Sequence, residues 1–432
     1  MNRPHSSIDR RQLLRTAGAG ALGAGMISLG APPAAARPRT RPGRGLTQAP
    51  DGPLLKAGLV GCGGRGSGAV FNFLDAGPNL TVTALADVFA DRLDPLRDKL
   101  KNERGIEVPQ AQCFLGFDAY EQLLDTDVDV VLFATPPHFR PDHFRAAVQA
   151  RKHVFMEKPV AVDPVGARSV MASARKADVA GLSVVTGTQR RHQANYRACY
   201  ERIADGAIGD IVSANCYWNQ GQLWYRERQD AWSDMEFMVR DWVNWAWLSG
   251  DHIVEQHVHN LDVIHWFTGK LPTRAVGFGS RERRVTGDQY DFFSVDYGYD
   301  SGMHVHSMSR QINGCVNNVS ELVMGTRGWS DCHGRIVGHD GKTIWTYEGE
   351  GDPSPYVQEH IDLVTSIRTE EPFNEAATTA QSTLVAIMGR ISAYTGREVT
   401  WEEMMGSDLR LGPETYAMGP VEGEFPVPVP GA

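Results

Sequence analysis

The chain is short of cysteine, of basic charge and of long apolar runs, and each shortage removes a class of protein. Six cysteines are scattered through 432 residues, and none stands in a C-x-x-C spacing. A disulfide-stapled scaffold is therefore not expected in a chain this long. Lys and Arg number 43 against 52 Asp and Glu, a net charge of -9. That balance excludes nucleic-acid binding through a basic surface and suits a neutral or polar small molecule. The apolar stretch Thr16 to Gly30 is mostly Ala and Gly. It is shorter than the roughly 20 residues a membrane-spanning helix needs. Beyond the first 36 residues there is no repeat period and no low-complexity stretch.

What remains is an ordinary globular composition, 42% hydrophobic and 22% charged. The length exceeds one core of roughly 100–200 residues, so two domains and a tail are expected. Residues 1–36 form a separate unit, with Arg10-Arg11 ahead of the weak apolar run and Ala34-Ala35-Ala36 at its end. This pattern reads as a twin-arginine signal peptide, which predicts passage through the twin-arginine export machinery to a periplasmic or cell-envelope location. Residues 37–52, rich in Pro, Arg and Gly, read as a flexible linker, with ordered chain from near Leu54. Two domains, 53–190 and 191–405, and a C-terminal tail, 406–432, complete the expected plan.

The first domain opens on an apolar run, Leu54 to Val60, of the kind buried in a parallel sheet. Gly61-Cys62-Gly63-Gly64-Arg65-Gly66 follows as a G-x-G-x-x-G loop, and Ser67 to Ala76 reads as a helix. Gly61 permits the tight turn, Gly63 lets a pyrophosphate approach the backbone, and Gly66 lets helix pack on strand. The helix N-terminus offers unpaired N–H groups to phosphate. The next apolar run, Leu80 to Ala86, ends in Asp87, 21 residues past Gly66. A carboxylate there grips the adenosine ribose hydroxyls and repels a ribose phosphate, so NAD is expected, NADP less so.

Strand and helix then alternate. Val128 to Ala134 runs into Thr135-Pro136-Pro137-His138, helix 141–150 follows, and strand 153–156 ends in Glu157-Lys158-Pro159. This rhythm predicts an α/β Rossmann domain with a doubly wound parallel sheet. Ligands of such sheets sit beyond the carboxyl ends of the strands, where Gly61, Asp87, Thr135 and Lys158 all fall. From about residue 210 longer strands appear, and Asp300-Ser301-Gly302 joins two of them as a hairpin turn. The second domain is therefore expected to be α+β around a largely antiparallel open sheet.

Seven of the ten tryptophans lie between Trp218 and Trp266. Indole faces suit the C–H face of a sugar, and Trp218, Trp224 and Trp232 are the expected substrate contacts. Helical spacing assigns Trp242, Trp245 and Trp247 to packing instead. Further on, Glu255, His259 and Asp262 share one face if 251–264 is a single helix. A carboxylate one turn before an imidazole can orient it as a base toward a substrate hydroxyl. His252, Glu255 and His259 would also share a face, but the H-E-x-x-H order is absent and no metal is expected.

The order of these motifs resembles the glucose–fructose oxidoreductase, inositol dehydrogenase and MocA family, over residues 54–405. The matching elements are the glycine loop with Arg65, Thr135-Pro136-Pro137-His138, Glu157-Lys158-Pro159, Thr186 to Arg191 with Arg190, and the segment holding Glu255 and His259. The resemblance implies a sugar or polyol dehydrogenase with Lys158 and His259 as the catalytic pair. It implies cofactor contacts from Gly61, Gly63, Arg65, Gly66, Asp87, Thr135, Pro136, His138, Glu157, Lys158 and Arg190. Asp262, on the same face as Glu255 and His259, is expected with the substrate, and the resemblance implies a homo-oligomer, dimer or tetramer, built on the open sheet. Where the family commonly has Asp, this chain has Glu255, a longer arm that can shift the imidazole. A helix near 376–394 is implied to pack back on the first domain. Two activities follow. One is hydride transfer between a carbohydrate hydroxyl and a tightly bound nicotinamide. The other is glycoside cleavage by transient sugar oxidation and elimination, although that branch's substrate motif has no clear counterpart here.

Overall fold

In the computed structural model, residues 45–431 are described, so the leader and the first part of the expected linker lie outside them. Strands β1 (Leu55–Val60), β2 (Leu80–Asp87), β3 (Cys113–Leu115), β4 (Val130–Phe133), β5 (His153–Met156) and β6 (Val184–Thr186) form one six-stranded sheet. Its order is β3-β2-β1-β4-β5-β6 and all its pairings are parallel. This is the doubly wound Rossmann order, with its switch point between β1 and β4. The strands are apolar on both faces because helices cover both. Leu59, Leu132 and Phe155 enter the core on one side, and Val60, Phe133 and Met156 enter the core on the other.

The second sheet holds nine strands, β7 (Ile211–Gln220), β8 (Arg274–Ser280), β9 (Phe292–Gly298), β10 (His304–Gln311), β11 (Asn318–Gly325), β12 (Gly328–Ser330), β13 (Arg335–Gly338), β14 (Thr343–Thr346) and β15 (Val399–Thr400). Their order is β14-β13-β12-β11-β7-β10-β9-β8-β15. Only β7 and β10 pair in parallel; the other neighbours are antiparallel. The expected Rossmann domain and largely antiparallel second sheet are both present. The turn 300–302 closes the β9–β10 hairpin, with the Tyr299 amide donating to the Met303 carbonyl at 3.0 Å.

Helix Ala376–Thr395 joins the two halves. One flank lies on β8, where Ser392 Oγ accepts from the Gly277 amide at 2.9 Å. Another meets the first domain, where Thr379 Oγ1 and Thr186 Oγ1 are 2.7 Å apart. One apolar core consequently runs from the Rossmann sheet into the second sheet without a break.

The structure departs from the sequence reading in three places. Residues 251–264 do not form one helix. They form His252–Glu255 and Val258–Thr268, with Gln256 and His257 between. The expected tail is a strap: Leu411, Tyr416, Val421 and Phe425 pack on an aromatic cluster around Phe139 and Trp247. The end of the expected linker is also docked, since Ala49 is buried and its amide donates to the Ala76 carbonyl at 2.8 Å. Among the described residues no helix is long and apolar enough to cross a membrane.

Candidate active site

The glycine loop closes the turn from β1 into helix Gly64–Leu74. Gly61 has φ +96°, a left-handed conformation in which a side chain is strained. A Cβ at Gly66 would lie 1.8 Å from the Gly61 carbonyl oxygen, so helix and loop meet as closely as backbone permits. A Cβ at Gly63 would meet no atom within 4 Å, because open space lies above the helix N-terminus there. That space belongs to a cavity of about 490 Å³ also lined by Gly61, Arg65, Asp87, Thr135 and Pro136. Its size falls in the ~300–1,000 Å³ range of cofactor pockets.

Asp87 ends β2 inside this cavity. Its carboxylate accepts from the amides of Cys62 at 2.6 Å and Phe89 at 2.9 Å, which fixes it against the glycine loop. Burial pushes its pKa up against the pull of these two amides. Arg65 reaches back from the helix to Glu157, with Nε 2.8 Å from Oε1. Glu157 itself is buried behind Gly187, where a Cβ would stand 2.4 Å from Oε2. It therefore holds Arg65 rather than lining the cavity.

These features fit a dinucleotide. A strained glycine turn, empty space over an uncapped helix start and a carboxylate one strand away are what a pyrophosphate and an adenosine ribose need. Thr135 and Pro136 extend the wall past β4, and the Thr135 carbonyl accepts from buried Arg140 at 2.5 Å.

Lys158 follows β5 on the same rim. Its Nζ donates to the Glu255 carbonyl at 2.7 Å and to Glu255 Oε1 at 2.9 Å, with Glu255 buried and Lys158 half-buried. Two of the three ammonium protons are thus committed, which aims the third. Glu255 was expected to orient His259. It instead grips Lys158, with Gln256 Nε2 on its other oxygen. The break between the two short helices is what turns it that way.

His259 lies in helix Val258–Thr268, buried, and its ring nitrogens make no hydrogen bond to protein among the described residues. Burial holds its pKa well below the usual value, and the charges of Lys158 and Arg190 push in the same direction. The imidazole is therefore neutral near pH 7 and available as a proton acceptor. Its ring stacks on Trp218 at 5.6 Å and 22°. Arg190 lies over the other part of that indole at 5.5 Å and is ion-paired with Glu321. Glu321 is buried and also accepts from Tyr196 Oη at 3.0 Å and Asn260 Nδ2 at 2.7 Å. A held carboxylate thus positions Arg190, Arg190 positions Trp218, and Trp218 sets the plane of His259.

Several expected contacts lie elsewhere. His138 does not line the cavity. Its Nε2 is 2.7 Å from Tyr416 Oη and its ring packs on Trp247, and burial drives its pKa down to about 3. Asp262 is not presented to a substrate, since Arg191 Nε and Nη2 at 2.7 and 2.8 Å and Ser382 Oγ at 2.7 Å take up its carboxylate. Trp232 does not line the cavity but sits under Arg240, which does, at 5.2 Å. His252 packs edge-on against Phe293 at 5.1 Å, as a core histidine. Trp224 does line the cavity, and so does Trp242, which spacing assigned to packing. Glu321 escaped notice altogether. Its signal was an acid at an inward position of β11, two residues before buried Val323, where only a paired carboxylate is tolerated.

A six-stranded Rossmann sheet with a glycine-loop cradle at its switch point defines a dinucleotide-binding scaffold. Residues 55–186 match the model of the Gfo/Idh/MocA oxidoreductase family with its NAD-binding Rossmann fold, and residues 196–330 match the Gfo/Idh/MocA C-terminal domain. Together these cover more than half of the chain, which belongs to that family. It is 32% identical to a glycosyl hydrolase family 109 protein of Streptomyces coelicolor over 48% of this chain and 44% of that one. It is 28% identical to a myo-inositol 2-dehydrogenase of Thermotoga maritima over 36% and 42% of the two chains. The chain thus spans less than half the length of these curated relatives. The fold is shared with an aldose–aldose oxidoreductase of Caulobacter crescentus, with TM-score 0.64, 19% identity, and coverage of 80% of this chain and 99% of that one.

Proposed function

We propose that the protein is an exported oxidoreductase that moves hydride between a carbohydrate hydroxyl and a tightly bound NAD. The observation that carries this reading is a fixed ammonium, Lys158 Nζ, at the end of β5 on the rim that also carries the glycine loop, near enough to the neutral buried base His259 to depress its pKa. Bound NAD supplies the hydride acceptor. Lys158 Nζ, held twice by Glu255, offers its remaining N–H as a hydrogen bond to the substrate hydroxyl oxygen and stabilises negative charge there while keeping its proton. His259 takes the hydroxyl proton as the carbonyl forms. Trp218 gives the site an apolar wall suited to a sugar's C–H face.

Export follows from Arg10-Arg11 and the small-residue end at Ala34 to Ala36. Outside the cytoplasm a dissociating cofactor would be lost, so reoxidation by a second substrate on the same NAD is part of the proposal. The second sheet turns Val276 and Phe278, 51% and 66% exposed, outward, a face suited to a partner copy in a dimer or tetramer.

The likeness to a family 109 glycosyl hydrolase favours one second reading, cleavage of a glycoside by transient oxidation. Mass and absorbance analysis of the dialysed protein with candidate sugars separates the two. About one NAD per chain, with a rise in the reduced-nicotinamide band on adding a sugar, is expected. Retained NAD that shows no net reduction while an aryl glycoside is cleaved would establish the second reading. A protein that neither retains nor rebinds dinucleotide would sink both.

A further inference from the structure

The cavity at the glycine loop is not made by the first domain alone. Trp224, Arg226, Arg240 and Trp242 line it from the second domain, opposite Gly63 and Asp87. These residues come from segment 221–245, which includes helix Asp234–Arg240. Trp224 and Trp242 meet edge to face at 6.2 Å, and Arg226 lies over Trp224 at 5.3 Å. The segment is internally tied, because Asp241 Oδ1 accepts from the Arg226 amide at 2.7 Å and from Asn244 Nδ2 at 2.8 Å. Arg226 has no ion-pair partner among the described residues, so its guanidinium is left for an anionic occupant of the cavity.

The same segment rests on the first domain through an apolar contact, Met235, Met238 and Val239 against Phe139, and is joined to it by one polar latch. Arg240 grips Asp91 with both terminal nitrogens, at 3.0 and 3.1 Å, and lies 3.9 Å over the Phe89 ring. Glu236 Oε1 holds Arg240 Nε from behind at 2.9 Å. Phe89 and Asp91 stand two and four residues past Asp87, at the adenosine end of the cavity. A bidentate guanidinium–carboxylate pair combined with an aromatic face is a directional contact, unlike a lone surface ion pair.

We propose that segment 221–245 is the second half of the cofactor site, a cover over the adenosine half of the dinucleotide, latched by Arg240 on Asp91 and Phe89. Escape of bound NAD then requires the latch to open, and Arg226 is the cover's contact with the diphosphate. This rests on the assignment of the cavity to NAD and adds which residues retain it.

The test follows release of NAD from the full chain into excess unlabelled scavenger, read by recovery of the fluorescence of Trp224 and Trp242. Arg240→Ala is expected to speed release about tenfold, the equivalent of about 1.4 kcal/mol. Asp91→Asn, at an exposed position that does not threaten folding, is expected to give most of that effect. Arg226→Ala is expected to weaken NAD binding several-fold while the melting temperature without ligand stays unchanged. If both latch variants release NAD at the parental rate while still binding it, the latch is wrong and the NAD assignment stands. If the parental protein binds no dinucleotide, both fall together.

Discussion

Lys158 Nζ is fixed by a residue 97 positions further along the chain, and that contact is the one the proposed chemistry depends on. Sequence placed Lys158 on the ligand rim and His259 in a helix, and the family resemblance joined them. Helical spacing paired Glu255 with His259, whereas its carboxylate meets Lys158. A Glu four residues before a His on a continuous helix is a sound expectation, but it presumes the helix is unbroken. Lys158→Ala and His259→Asn are each expected to lower kcat/KM by roughly a thousandfold while dinucleotide binding, followed by tryptophan quenching, persists. Loss of binding in either would move that residue out of the proton-handling role. His259 acts as a base only when unprotonated, and its pKa lies well below 6.5. The acid limb of the kcat/KM profile should therefore fall well below pH 6.5. Arg190→Ala removes one of the cations that depress the imidazole and should move that limb upward; a limb that stays put would show that burial alone sets it.

The glycine loop is the element most completely legible beforehand, because its residues have separable physical jobs. Gly66→Ala drives a methyl into the Gly61 carbonyl and should cost roughly 3 kcal/mol of stability, read from denaturant midpoints. Gly63→Ala meets only open space in the protein, so its melting temperature without ligand should match the parent while NAD affinity collapses. Equal destabilisation by both would mean that the space over Gly63 is not a ligand's. The broken helix at 256–257 was illegible for a related reason. The Glu255 carbonyl accepts from Lys158 rather than continuing the helical ladder, and no local pattern announces a donor from another domain. Helix Pro355–Arg368 was hidden by its own polarity. Gln358, Glu359, His360 and Asp362 read as surface residues and are all buried.

At the scale of the whole molecule, packing within and between the domains buries a set of histidines. Burial lowers His138, His143 and His257 to about 3 and His265 to about 4. Their folded values lie below the ordinary unfolded value near 6.5, so between about pH 6.5 and 4 the unfolded chain binds more protons. Stability should then fall as pH falls through that window, by up to about 1.4 kcal/mol per histidine per pH unit. Asp288, raised to about 6, and Asp87, Asp241, Asp251 and Glu321, also raised by burial, oppose this, but burial lowers His153, His252, His259 and His360 as well, and the histidines prevail. Urea midpoints at pH 7 and pH 5 check the sign; an unchanged or higher midpoint at pH 5 would contradict it.

The sequence by itself determined the α/β first domain, the phosphate turn, the carboxylate at the end of β2 and the lysine at the end of β5. Each of these depends on local geometry: a strand's apolar run, a glycine's φ, a residue's place at a strand terminus. Tertiary structure alone decided which partner each charged group took. Glu255 went to Lys158, Asp262 to Arg191, Arg190 to Glu321 and His138 to Tyr416. A buried charge or ring nitrogen must find whatever donor or acceptor the packing brings within about 3 Å, and that neighbour lies at any distance along the chain.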